Sequence, residues 1–235
     1  LRKSFSLLSD PQTTSIAVVS LQRCFDLTFE ELEYDRRAAI KEFPQLLDHL
    51  GSAIVELFFV ADEHGVNWAE FLKGYTNCCS RTVGSTSFIN LCRLFSLMHS
   101  KAGLPMNLTF EPHDDEFKIS GWLSPGDIHL LLWISWAFSC RTFRSNVGKQ
   151  RRTCTLPDIS HLVLSVIKSC TDVDRDFDFW DSEVESMNIE LPAAKVQAWA
   201  LNTLPNMANC FVQFVHDRLC SFPNNENRVG QSGSS

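Results

Sequence analysis

Two stretches of this chain carry acidic side chains in patterns that resemble a calcium-binding loop at first sight. The first is FFVADEHGVNWAEFLKGY, residues 58–75, with Asp62, Glu63 and Glu70 around a single glycine, Gly65. The second is DVDRDFDFWDSE, residues 172–183, which alternates acids with other residues. Calcium takes six to eight hard oxygens. A twelve-residue loop supplies them from its first, third, fifth, seventh and ninth positions and from a terminal glutamate, with glycine sixth for the sharp turn.

Counting positions separates the two. Anchored on Glu70 as the terminal glutamate, the first, third and fifth places of the upstream stretch fall on Phe59, Ala61 and Glu63. Anchored on Gly65 as the turn glycine, they fall on Val60, Asp62 and His64, and the terminal place lands on Phe71. Gly65 and Glu70 stand one residue too close to serve together, so this stretch reads as a helix-loop-helix kept for packing. Downstream, Asp172, Asp174, Asp176 and Glu183 hold the first, third, fifth and twelfth places, and Phe177 stands where glycine belongs. Any calcium bound by this chain is expected there; the plainer reading is an acidic, solvated loop between helices.

A third group is basic. Arg141, Arg144, Lys149, Arg151 and Arg152 lie in CRTFRSNVGKQRRTC without an acid among them, a set suited to contacting anions. In a chain of net charge −7 it reads first as a solvated loop, or as one paired to Glu111, Asp114, Asp115 and Glu116. The acidic balance argues against a general nucleic-acid partner, which would need a basic face.

No Gly-rich phosphate loop, HExxH or GxSxG is present, and no nucleophile stands in a recognisable catalytic pattern, so the expectation is a protein that is not an enzyme. The nine cysteines are scattered, without a CxxC pair, and read as reduced thiols of a cytosolic or nuclear protein. No targeting segment is visible. The most apolar run, IHLLLWISWAF, is too short to cross a bilayer and predicts a buried helix.

The elements that would position these groups are helical. Sparse glycine, little strand-like alternation and repeated helical spacing predict an all-α, irregular multi-helix fold. Leu47, Leu50, Ile54, Leu57 and Phe58 form one apolar stripe. Phe88, Leu91, Cys92, Phe95 and Met98 form a second, and Met207, Phe211, Val215 and Leu219 a third. Thr28 with Glu31, Ser124 with Asp127, and Pro157, Pro192 and Pro205 mark helix boundaries. The tryptophans, Trp122, Trp133, Trp136 and Trp199 among them, read as packing anchors, and an exposed one would hint at a partner.

These features predict a helical region over residues 1–100 containing the degenerate helix-loop-helix, and a second over 101–222 packed on it. The breaker-rich loop of residues 101–117 lies between them, and a polar tail follows over 223–235. A start at Leu1 suggests a fragment or a processed product.

Four segments, LRKSFSLLSDPQT, WAEFLKGY, GWLSPGDIHLLLWISWAF and LPAAKVQAWALNTLPNMANCFVQFV, together resemble the EF-hand-like helical region that precedes the TLDc domain in plant-type TLDc proteins. The resemblance implies a non-catalytic, cytoplasmic regulatory module with a protein partner. In such proteins the TLDc domain engages the vacuolar proton pump. No TLDc domain follows Phe222 here, so the pump contact does not carry over to these residues. The cofactor expectation is none, or calcium at Asp172–Glu183.

Overall fold

Two helix starts in this chain are set by short-range side-chain chemistry. At residues 124–127 the Ser124 hydroxyl accepts from the Asp127 N–H (3.1 Å) while Asp127 Oδ2 accepts from the Ser124 N–H (2.9 Å) and hydroxyl (2.7 Å), a reciprocal cap. Pro125 then occupies the first turn, where its missing N–H costs nothing. Asn67 caps another helix, accepting the Glu70 N–H on its Oδ1 at 3.1 Å.

A computed structural model describes residues 1–27, 43–79, 84–113, 116–146, 156–171, 189–205 and 207–221. Among them are ten helices and three strands. The helices are α1 (Arg2–Leu8), α2 (Val18–Phe25), α3 (Phe43–Leu47), α4 (Leu50–Phe58), α5 (Trp68–Cys79), α6 (Gly84–Ala102), α7 (Pro125–Asn146), α8 (Leu156–Cys170), α9 (Ala193–Thr203) and α10 (Met207–Ser221). Between α6 and α7 run β1 (Asn107–His113) and β2 (Glu116–Leu123), and β3 (Leu191–Pro192) precedes α9. Thr28 and Glu31, the expected cap pair, lie outside the described residues.

The fold is mostly helical, in broad agreement with the all-α expectation, and adds a small three-stranded sheet that the sequence reading did not include. The segment read as a breaker-rich loop supplies β1, which pairs antiparallel with β2 from Asn107↔Trp122 to His113↔Glu116. Beyond β2, Trp122 and Leu123 pair with Pro192 and Leu191 of β3. Alternation is present in both long strands: Leu108, Ile119 and Leu123 are buried on the inner face, while Thr109, Glu111 and Lys118 are exposed on the outer one. Pro112 and Gly121, both strand breakers by composition, hide that period. Gly121 is required where it stands, at φ +102, where a β-carbon would collide with the Asn107 carbonyl. Glu111, offered as a partner of the basic stretch, instead faces Lys118 across the ladder.

The core runs through both halves of the chain. Helix α10 lies against α7, with Phe138 packed on Phe211 (5.4 Å between ring centres) and Phe214 (4.8 Å). Phe211 also meets Phe58 of α4 at 5.7 Å, and Phe43 of α3 meets Trp133 of α7 at 5.4 Å. All five residues of the α6 stripe are buried, as are Phe211, Val215 and Leu219. Burying such side chains stabilises by roughly 1.5–3 kcal/mol each. The apolar run at the start of α7 is indeed a buried helix, and among the described residues no helix is long and apolar enough to cross a membrane.

Candidate functional site

The upstream acidic stretch has a counterpart that its sequence does not announce. Helices α1 and α2 are joined by residues 9–17, and α4 and α5 by residues 59–67, so each pair is a helix-loop-helix with a nine-residue connection. The two loops touch through one antiparallel bridge. Ile16 N–H donates to the Val66 carbonyl at 2.9 Å, and Val66 N–H donates to the Ile16 carbonyl at 2.8 Å. Ile16 and Val66 are fully buried, and each is the eighth residue after its incoming helix. Phe5 of α1 packs edge-on against Trp68 (5.2 Å) and against Phe71 (5.3 Å), both of α5, closing the unit.

In each loop an aspartate organises the turn. Asp10 Oδ1 accepts from Gln12 N–H (2.7 Å), the Asp10 carbonyl accepts from Thr14 N–H (2.8 Å), and Asp10 N–H donates to the Ser15 carbonyl (3.0 Å). Asp62 Oδ1 accepts from His64 N–H (2.8 Å), and Asp62 and Gly65 exchange backbone bonds of 2.9 and 3.1 Å. These side chains act as turn formers, satisfying N–H groups two residues ahead. Gly65 has φ +110, and a β-carbon there would strike the Ile16 carbonyl oxygen. In the first loop Thr14, at φ 54, takes the left-handed position.

One of the two registers counted from sequence places Val66, the bridged residue, eighth. With Val66 eighth, the first, third, fifth and twelfth places fall on Phe59, Ala61, Glu63 and Glu70. Phe59 is buried against Phe71 at 5.9 Å. The corresponding odd places of the other loop are Ser9, Pro11, Thr13 and Ser15. Glu63 reaches His64 Nε2 at 3.4 Å on the open surface, and Glu70 leans on Lys73 at 3.8 Å. Asp62, Glu63 and Glu70 are therefore each engaged in a local contact, while the side chains of Phe59 and Ala61 bring no oxygen to the first and third places. Among the described residues no three His, Cys, Asp or Glu side chains are placed to hold a metal ion.

Asp172, Asp174, Asp176 and Glu183 lie outside the described residues, as do Lys149, Arg151 and Arg152. Arg141 and Arg144 fall in the last turns of α7, where only the backbone is described.

The apolar side of the paired loops is covered by α10. Besides the Phe58–Phe211 contact, Tyr75 Oη is 2.8 Å from His216 Nδ1. Arg218 Nη2 donates to the Asp26 carbonyl at 2.6 Å, just past the end of α2, where a cation meets the negative end of the helix. Cys79 Sγ lies 3.9 Å from the Val212 carbonyl.

Most groups with perturbed acidity are core groups. Burial pushes the Cys92 and Cys78 thiols up and holds His129 down at about 4. His99 is also lowered, mainly by burial, although its Nδ1 bonds the Phe95 carbonyl (3.0 Å) and its Nε2 stands 3.9 Å from Asp127 Oδ1. Trp133 and Trp199 are buried anchors; Trp122, 48% exposed on the outer face of the sheet, is not.

No protein-family model, no curated protein and no solved structure matches this chain.

Sequence reasoning missed the first loop. Its signal was available in SDPQTTSIAVVS, where breakers and hydroxyls precede a lone buried isoleucine. Only the bridge to Val66 gives that isoleucine its meaning.

Proposed function

We propose that this chain is a non-enzymatic, cytoplasmic regulatory module that binds a protein partner. In this reading it is built on a pair of EF-hand-like loops with too few calcium ligands and forms the N-terminal part of a TLDc-type protein. The observation that carries the reading is the Ile16–Val66 bridge between two loops of equal length at equivalent positions. Paired calcium loops are joined side by side in this manner, and here the joint remains while Phe59 and Ala61 stand at two ligand places beside Glu63 and Glu70, and Pro11 at one of the other loop's, too few oxygens for calcium. The TLDc relation rests on the four sequence segments quoted above.

Helix pairs of this type take an amphipathic helix in the groove between them. Here α10 fills that role within the chain, presenting Phe211 to α4 and Arg218 to α2. Partner recognition is then left to apolar side chains that stay exposed on the two helix-loop-helix units: Leu7, Val19, Val60 and Leu72, each 41–59% exposed. Contact with a vacuolar proton pump belongs, in this reading, to a TLDc domain carried by a longer chain.

Calorimetric titration of calcium into chelator-treated protein tests the reading, with thermal melts alongside. The expected result is no saturable heat and an unchanged melting temperature. Micromolar binding that disappears in the Asp172→Ala, Glu183→Ala double variant would replace it with a calcium sensor.

A further inference from the structure

Strand β1 is an edge. Its sheet neighbour is β2, and among the described residues no backbone hydrogen bond from another segment reaches it. Such an edge is a template for another strand. Pro112 fixes which of its groups look outward, because a proline in a strand stands with its nitrogen turned away from the neighbour it cannot bond. Backbone polarity alternates along an antiparallel strand. Leu108 and Phe110 share the parity of Pro112, so their N–H and C=O groups face the open side.

The side chains of that parity lie on the inner face, and there the edge borders a cleft. Phe110 forms one wall of an open cavity of about 400 Å³. The facing wall comes from α4 and α6, which supply Leu57, Leu97, Ser96, Ser100 and Arg93. The Arg93 guanidinium lies 4.1 Å over the Phe117 ring, with Asn90 Oδ1 at 3.5 Å as its polar contact. Among the described residues no carboxylate pairs with it. Lys101, by contrast, is matched to Glu56, the remaining acid of the cleft wall. Burial disfavours the charged form of Arg93, and an incoming carboxylate would offset that cost.

The geometry points to a peptide-docking site in which β1 adds an extended segment of a partner protein. Every second residue of that segment faces the cleft; these are apolar residues, which enter beside Leu57, Leu97 and Phe110, and an Asp or Glu of the same parity, which meets Arg93. Main-chain bonds to Leu108 and Phe110 supply the register, and the cleft and Arg93 supply selectivity. The site rests on the sheet edge and the cleft beside it, and stands whether or not the paired loops are EF-hand-like.

The test is an unbiased selection of a phage-displayed random peptide library on the whole chain, followed by fluorescence anisotropy and amide exchange with the enriched synthetic peptide. Enriched sequences are expected to alternate apolar residues and to carry an acid. On binding, the Leu108 and Phe110 amides should become protected, while those of Thr109 and Glu111, already in the ladder, change little. Arg93→Gln should weaken binding about tenfold or more, as loss of a charge-assisted contact does. Arg93→Lys should recover part of the affinity, and Lys118→Gln on the outer face should leave it unchanged.

The exchange measurement needs no variant and so survives any folding defect in Arg93→Gln. Failure to enrich a peptide, protection elsewhere than Leu108 and Phe110, or indifference to Arg93→Gln would overturn the proposal. Concentration-dependent self-association that protects the same two amides without peptide would overturn it too, by making a second copy the occupant.

Discussion

Residues 9–17 and 59–67 solve one geometric problem in two ways. Both loops have nine residues, both bury an apolar residue at the eighth, and both begin with an aspartate-centred turn. They differ in how the chain gets there. Asp10 stands six residues before Ile16 and spans to Ser15, whereas Asp62 stands four before Val66 and closes directly on Gly65. The left-handed residue is a threonine in the first and a glycine in the second. What the two share is the bridge and the helix ends; the path between them follows local turn chemistry rather than a fixed set of ligand places.

Breaking the second loop at its glycine should have the largest effect. Gly65→Ala combines a left-handed alanine with a collision against the Ile16 carbonyl, and a loss of about 3 kcal/mol or more is expected in urea unfolding. The cost should appear as a lowered midpoint with an unchanged slope.

Acid provides the next largest effect, and it acts away from both loops. His99 and His129 are held neutral when folded, so below about pH 6.5 the unfolded chain takes up protons that the folded chain refuses. Stability is therefore complete above that pH and falls as the pH drops, at up to about 1.4 kcal/mol per unit for each histidine. The fall continues until the pH reaches the folded values, about 4 for His129. The Gly65→Ala increment over the unaltered chain should stay constant through this window. A change in it would mean that the loops and the α6–α7 junction are coupled.

Removing the aspartates should be milder and equal. Asp10→Ala and Asp62→Ala each forfeit one side-chain bond to an exposed turn N–H, about 1 kcal/mol by thermal or urea unfolding. A much larger loss for one alone would show that the two turns do not carry the bridge equally. Smallest, and opposite in sign, is Thr14→Gly. It removes the strain of a β-branched residue at φ 54 against the added flexibility of glycine, a net gain of about 0.5 kcal/mol.

Much of the helical scaffold was legible because its signals are local. The caps at Ser124–Asp127 and Pro192, the break at Pro205 and the α6 stripe all act within a turn or two, and each stands where sequence puts it. The stripe drawn through Leu47 and Leu50 was half right. Both are buried, but the helix breaks at Asp48 and His49 into α3 and α4. The sheet was obscured because Pro112 and Gly121, which punctuate sequences as turns, serve here at an edge and at a close backbone approach. Of the candidate site, the register of residues 59–70 could be narrowed to two alternatives by counting. Choosing between them needed the contact between Ile16 and Val66, which no window along the chain can contain.

The bond from Arg218 to the Asp26 carbonyl spans 192 residues, and that from Tyr75 to His216 spans 141. Loop-closure entropy must be met before contacts so distant in sequence can repay it, which slows folding. During synthesis the first five helices emerge long before α10 exists to cover them. Until residues 207–221 leave the ribosome, Phe58 and its neighbours present a bare apolar face, the kind of surface that chaperones hold. The last described helix thus sets the moment at which the first ones can finish folding.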